Sequence, residues 1–234
     1  MHLGQRTTFF FALLILVFSC KNNVSEPADP GYEYFPLVIG HWVSYQVDSV
    51  VHDDDLGIHD HFSYQVKELV ESSFEDNEGD IAFRIERFKR KSDTLEWVLS
   101  DIWTAKRTNT LAEKVEENVR YVRLAFPTRL NKTWDNNANN THEEWESEIL
   151  GVQNLYDNGI EVFNDVCEVS MIDQINAVDA KLGQQVYAKG IGLVYHRLDT
   201  LDFIFPGPGG TVWPDSVIRF GRQFEMTYLE HGVE

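Results

Sequence analysis

Trp42-Val43-Ser44-Tyr45-Gln46-Val47-Asp48-Ser49-Val50-Val51 sets Val43, Tyr45, Val47 and Val51 against Ser44, Gln46 and Asp48. A two-residue period puts the apolar set on one face of an extended chain, which is the pattern of a half-buried antiparallel strand. The charged, glycine-terminated Asp53-Asp54-Asp55-Leu56-Gly57 follows, and Phe62, Tyr64 and Val66 then resume the alternation. The two runs read as a hairpin.

The same rhythm extends outward from this pair. Ile81, Phe83 and Ile85 share a face after the turn-forming Asp76-Asn77-Glu78-Gly79, and Leu95, Trp97 and Leu99 begin another run with Trp97 expected in the core. Val119, Tyr121 and Arg123 alternate with Val122, Leu124 and Phe126, so both faces of that strand carry bulk. Asn158-Gly159 predicts a type I′ hairpin turn, since both residues accept the positive φ it needs. Residues 185–187, 193–197 and 217–228 supply further strands, separated by Phe205-Pro206-Gly207-Pro208-Gly209-Gly210, which cannot be regular structure. Ser100 to Glu117 has room for a short helix, although no window sustains a helical apolar stripe over three turns. The expected fold is all-β: one antiparallel curved sheet, half-barrel or barrel-like, with few short helices, formed by residues 34–234 as a single β-rich domain.

The N-terminus carries an address. Arg6 gives a positive n-region, Phe9 to Phe18 form an apolar run too short to span a bilayer, and Val17-Phe18-Ser19-Cys20 has the small-residue-then-Cys ending at which bacteria attach lipid. Residues 1–19 therefore read as a lipoprotein signal peptide and Cys20 as the acylated N-terminus. Residues 20–33, polar and with two prolines, read as a flexible tether. The alternatives are an ordinary signal peptide cut nearby or an uncleaved anchor. Lys21 lacks the acidic character associated with inner-membrane retention, which favours the outer membrane of the cell envelope.

Charge excludes one class of partner. The whole chain has 20 basic and 38 acidic side chains; the signal removes one Arg and no acid, leaving 19 against 38, or −19. Such a surface repels phosphate backbones and anionic headgroups, so nucleic acid is not expected and only the lipid would hold the protein at its membrane. With Cys20 committed to lipid, Cys167 stands alone, sharing a strand face with Phe163, Val169 and Met171, and reads as a buried, inert thiol.

Three stretches carry a resemblance. Tyr34-Phe35-Pro36-Leu37 with Gly40-His41-Trp42-Val43-Ser44-Tyr45-Gln46-Val47-Asp48-Ser49, then Phe126-Pro127 with Lys132-Thr133-Trp134-Asp135-Asn136-Asn137-Ala138, then Tyr187-Ala188-Lys189-Gly190-Ile191-Gly192-Leu193-Val194 occur in order along the chain. Together they resemble the motifs of uncharacterised lipoproteins of Bacteroidetes-type bacteria, with His41 a departure from the group's usual pattern. The Gly-x-Gly-Leu-Val segment is also similar to half-barrels resembling lipoprotein carriers. The resemblance implies a curved sheet with an apolar concavity and brings no activity and no catalytic residues.

Two constellations have metal-ligand spacing. Asp135, Asn137, Asn139, Thr141, Glu143 and Glu146 fall at the oxygen-donor positions of a calcium loop, although Asn140 stands where Gly is expected and no flanking helices are evident. The bland alternative is a solvated Asn-rich loop. His59 and His61 share a strand face with His52 across the hairpin, a set that could hold zinc or simply be a polar hairpin tip. No cofactor other than this calcium is expected.

Hydrolytic signatures are missing: the chain has no Gly-x-Ser-x-Gly elbow and no His-Glu-x-x-His. Glu143, Glu144, Glu146 and Glu148 are too ordinary in so acidic a chain to mark a carboxylate pair. Trp134, Trp145 and Trp213 stand in polar or loop context and could line a mouth on which an amphipathic or sugar-like ligand stacks. The sequence thus points to a membrane-anchored, non-catalytic envelope protein binding a hydrophobic or glycan ligand in an aromatic-lined concavity. The alternatives are a structural partner of an envelope complex or, third, a carboxylate- or metal-dependent hydrolase.

Overall fold

A computed structural model describes residues 29–204 and 217–234. Twelve strands form one antiparallel sheet: β1 (His41–Asp53), β2 (Ile58–Glu75), β3 (Ile81–Arg90), β4 (Val98–Arg107), β5 (Leu111–Glu116), β6 (Val119–Ala125), β7 (Thr133–Asp135), β8 (Glu146–Asp157), β9 (Val162–Ile175), β10 (Asp179–Ala188), β11 (Gly192–Phe203) and β12 (Ile218–Val233). Their order is β6-β5-β4-β3-β2-β1-β12-β11-β10-β9-β8-β7, so apart from the β1–β12 pair each strand lies beside its neighbour in sequence. The two ends of this meander curl toward each other. Val122 N–H donates to the Asn136 carbonyl at 2.9 Å, Trp134 Nε1 to the Val122 carbonyl at 2.9 Å, and Asn140 Nδ2 to the Arg120 carbonyl at 2.8 Å, leaving a barrel closed but for a short seam between β6 and β7.

The opening sequence follows its period except at Ser44, which is buried beside a register shift against β12, and at Val51, which is half-buried. Val43, Tyr45 and Val47 are buried, with Val47 opposite Met226 on one side and Tyr64 on the other. The turn at 53–57 is a short 3-10 segment in which the Asp53 carboxylate accepts from Leu56 N–H at 3.2 Å and Gly57 takes φ 68. Beneath the seam, Ala112, Leu124 and Phe126 pack with Ile149, Cys167, Val169 and Tyr187, so apolar burial as well as hydrogen bonds draws the sheet ends together.

Four expectations are corrected. Residues 100–117 hold no helix: they form most of β4 and all of β5, because Ile102, Trp103, Thr104 and Val115 suit a pleated surface and both strands find partners. Leu95 and Leu99 are exposed and Trp97 is only half-buried, under the Arg90 guanidinium at 4.1 Å from its ring centroid. The cause is a bulge: Arg87 opposes Asp101 and Phe88 opposes Leu99, which leaves Ser100 unpaired and inverts the alternation so that Trp103 turns inward. Asn158 does not take positive φ and its side-chain oxygen instead accepts from the N–H groups of Ile160 and Glu161; the two consecutive left-handed residues occur at Glu117 (φ 49) and Asn118 (φ 65), between β5 and β6. Finally, packing begins before Tyr34. Tyr32 sets its ring edge-on to Phe126 at 4.9 Å, and Lys189 Nζ reaches the Asp29 carboxylate at 2.7 Å, so residues 29–33 already pack against the barrel.

Candidate functional site

The inward faces of the strands do not fill the barrel. They enclose a cavity of about 800 Å³, within the range of about 300–1,000 Å³ that small-molecule sites occupy. Part of its lining is apolar, from Val43, Tyr45, Ile85, Phe224 and Met226, but the same lining also carries a charged network. The resemblance implied an apolar concavity; the lumen is mixed instead.

That network spans four strands. Lys114 Nζ on β5 lies 2.6 Å from Glu68 Oε2 on β2, Arg87 Nε on β3 lies 3.6 Å from Glu68 Oε1, and Arg123 Nη2 on β6 lies 2.8 Å from Glu116 Oε2 on β5. Trp103 lies beneath the cations, with Arg87 4.4 Å and Lys114 4.8 Å from its ring centroid, while its Nε1 donates to Glu117 at 3.3 Å. Burial raises the Glu116 carboxyl, but the Arg123 and Lys114 charges outweigh it and hold the group at about 2. His196 on β11 faces the same network. Burial, then the Arg123 charge, with Lys114 and Arg87 adding to it and Glu116 opposing, lowers its imidazole to about 3, so the ring is neutral at physiological pH.

Several polar groups of this lining lack partners. Asn136, only 1% exposed, has neither its Nδ2 nor its Oδ1 hydrogen-bonded, and the buried Arg87 Nε and His196 Nε2 likewise make no hydrogen bond, although Arg87 Nε is ion-paired with Glu68. Buried polar atoms are nearly always paired, so these three residues facing one cavity leave atoms that water or a polar ligand in the lumen would pair. Arg222 Nε donates to Ser49 Oγ at 2.8 Å and, among the described residues, has no ion pair.

The sequence-predicted residues are dispersed. Trp145 lines the cavity, Trp134 is spent on the seam, and Trp213 and Cys20 lie outside the described residues, as does the 205–210 loop. In the Asn-rich loop, Asp135 Oδ1 accepts from Asn137 and Trp145 N–H at 2.8 and 3.0 Å, Asn137 Nδ2 donates to the Glu143 carbonyl at 2.6 Å, Asn139 Nδ2 turns away to Glu113, and Thr141, Glu143 and Glu146 are exposed. The oxygens of this stretch thus serve mainly to fold the loop onto the seam. His52 and His59 do meet across the hairpin, Nδ1 to Nδ1 at 3.1 Å, but His61 turns to Asp48 at 3.5 Å, and the three do not converge. Among the described residues the one converging acidic group is Asp76, Glu78 and Asp80, and Lys106 Nζ already sits in it at 2.9, 2.5 and 3.2 Å. Cys167 is fully buried, and burial, with Glu168 and Asp165 nearby, pushes its thiol up to about 12, as an inert thiol requires.

Sequence reasoning missed Trp103 and the charged wall. Lys114, Glu116, Tyr121 and Arg123 do alternate in the sequence, yet charged positions of a strand pair read as solvent-facing unless the barrel is known to be hollow.

Comparison with family models and with curated proteins gives no match. Among solved structures the chain is similar to a Bacteroides fragilis protein described as a candidate exported protein with a YmcC-like fold, at 10% identity and a TM-score of 0.46, over 85% of this chain and 98% of that one.

Proposed function

We propose that the protein is a lipid-anchored envelope protein, held at the outer membrane through Cys20, that carries a hydrophobic or glycan ligand in the lumen of its barrel without transforming it. The observation that carries this reading is the cavity of about 800 Å³, walled by Tyr45, Trp103, Tyr187 and Phe224 and fringed by unpartnered polar atoms. Tyr187 and Tyr45 are themselves tied down, through Gln185 at 2.7 Å and the Leu193 carbonyl at 3.0 Å, so the aromatic surface is preorganised. The signal-like N-terminus supports the location. Native mass spectrometry of gently purified full chain is expected to show a retained small molecule and a diacylated Cys20; a bare sulfur would remove the anchor, and a ligand-free lumen that no amphiphile or glycan stabilises would remove the carrier role.

The exposed Leu155, Ile160 and Val162, at 70%, 59% and 53%, favour a second reading in which the β8–β9 hairpin docks on another envelope protein. Leu155→Glu would then lower crosslinking to that protein while leaving lumen occupancy unchanged.

A further inference from the structure

We infer that the lumen ligand is an amphipathic monoanion, a single carboxylate on an apolar tail, with the head group set among Arg87, Lys114, Arg123, His196 and Asn136. This rests on the reading of the lumen as a ligand site. Three observations select the head group. The buried network holds three cations, Arg87, Lys114 and Arg123, against two anions, Glu68 and Glu116, an excess of one positive charge (3 − 2 = 1) in a chain whose total is −18. The remaining charged lining changes nothing: Lys181 and Arg222 are balanced by Glu117 and Glu143, giving five cations against four anions. A monoanion neutralises this lining, a neutral sugar leaves the excess in place, and a dianion overshoots it.

The second observation is the set of unsatisfied groups. Asn136 Nδ2 and Arg87 Nε can donate to a carboxylate, and His196 can turn an N–H toward it while its ring stays neutral. Asn136 is 1% exposed and its backbone is fully engaged, N–H to the Trp145 carbonyl and carbonyl to Val122 N–H, each at 2.9 Å, so the residue is anchored at the seam with its amide buried. Charge-assisted hydrogen bonds are the strong ones, and here the donors are held before the ligand arrives. Third, apolar lining from Tyr45, Val70, Ile85, Phe224 and Met226 shares the cavity with these groups and offers the tail a dry surface.

The test uses the full chain carrying Cys20→Ser, so that no attached lipid competes, and titrates it calorimetrically with dodecanoate, dodecanol, dodecyl phosphate and maltohexaose at about pH 8, where the phosphate is a dianion. Dodecanoate is expected to bind at least roughly tenfold more tightly than dodecanol and more tightly than dodecyl phosphate. Asn136→Leu is expected to weaken dodecanoate severalfold more than dodecanol; should that variant misfold, the comparison of the four probes on the Cys20→Ser chain alone decides. Equal binding of dodecanoate and dodecanol, tighter binding of the phosphate, or binding of maltohexaose alone would each overturn the monoanion while leaving a ligand-binding lumen. Failure of all four to bind would instead overturn the carrier reading itself.

Discussion

His196 makes the barrel sensitive to mild acid, and the size of the effect can be worked out. In the unfolded chain the imidazole takes up a proton near its ordinary value of 6.5, whereas in the barrel it does so only at about 3. Above about pH 6.5 both states hold the ring neutral and the site contributes no pH dependence. Below it the unfolded state binds a proton that the folded state refuses, so stability falls with pH until about 3, at a limiting rate of about 1.4 kcal/mol per pH unit. Integrating a single site between about pH 7 and about pH 5 gives a loss of about 2 kcal/mol. Glu116 does not confuse this window, since its depressed carboxyl contributes stability that is lost only as pH falls from about 4.5 toward 2.

The groups that set the shift surround the ring: Arg87 on β3, Lys114 and Glu116 on β5 and Arg123 on β6 face it across the lumen, and Phe224 on β12 lies edge-on at 5.5 Å. His196→Gln keeps a polar side chain of similar size and removes the titration. Urea unfolding at about pH 7 and about pH 5 should show the natural chain losing about 2 kcal/mol more than the variant over that interval. Parallel losses in the two proteins, or an imidazole ¹⁵N titration midpoint near 6.5 in the folded protein, would refute the placement of His196 in a cationic, desolvated wall.

Other outcomes follow from the packing. Trp134→Phe deletes the Nε1 bond to the Val122 carbonyl and should cost about 1 kcal/mol, with faster hydrogen exchange at the Val122 amide and little change in strands remote from the seam. Leu124→Ala empties a fully buried site between the two sheet ends and should cost about 2–5 kcal/mol, read as a lower urea midpoint at unchanged m-value. Cys167 should resist iodoacetamide in the folded protein and react only as fast as the barrel opens, so its labelling rate reports unfolding.

The sequence is most legible where a strand has one wet and one dry face. Val43, Tyr45 and Val47 betray their burial because Gln46 separates the last two and Asp48 follows, and Gly57 and Gly79 mark hairpin turns because only a left-handed residue closes them at φ 68 and 84. Legibility fails at β4, where the unpaired Ser100 shifts the phase: a two-residue period read straight through gives Trp97 and Trp103, six residues apart, the same face, whereas the bulge turns only Trp103 inward, and reading 100–117 as a possible helix hides Trp103 altogether. It fails again at β5 and β6 for a different reason. Lys114, Glu116 and Arg123 face inward because a hollow barrel leaves room for paired charge on its inner wall, and hollowness depends on the curvature of all twelve strands, which no local window contains.

The seam and the site are one construction. Val122 presents its backbone to Asn136 to close the barrel, and in a strand the next residue, Arg123, then projects to the opposite face, where it meets Glu116 in the lumen. Asn136, its own backbone consumed by Val122 and Trp145, has only its side chain left to offer, and that side chain lines the cavity. The contact that joins first half to second half therefore brings Arg123, from the β1–β6 half, and Asn136, from the β7–β12 half, to one cavity. Neither half alone encloses the lumen, so whatever the cavity holds stabilises the closed form over any form with β6 and β7 parted, by an amount set by its affinity and concentration. An open seam would leave the Arg87–Glu68–Lys114 cluster on an exposed half-sheet, where water screens its charges and its preference for an anion is lost.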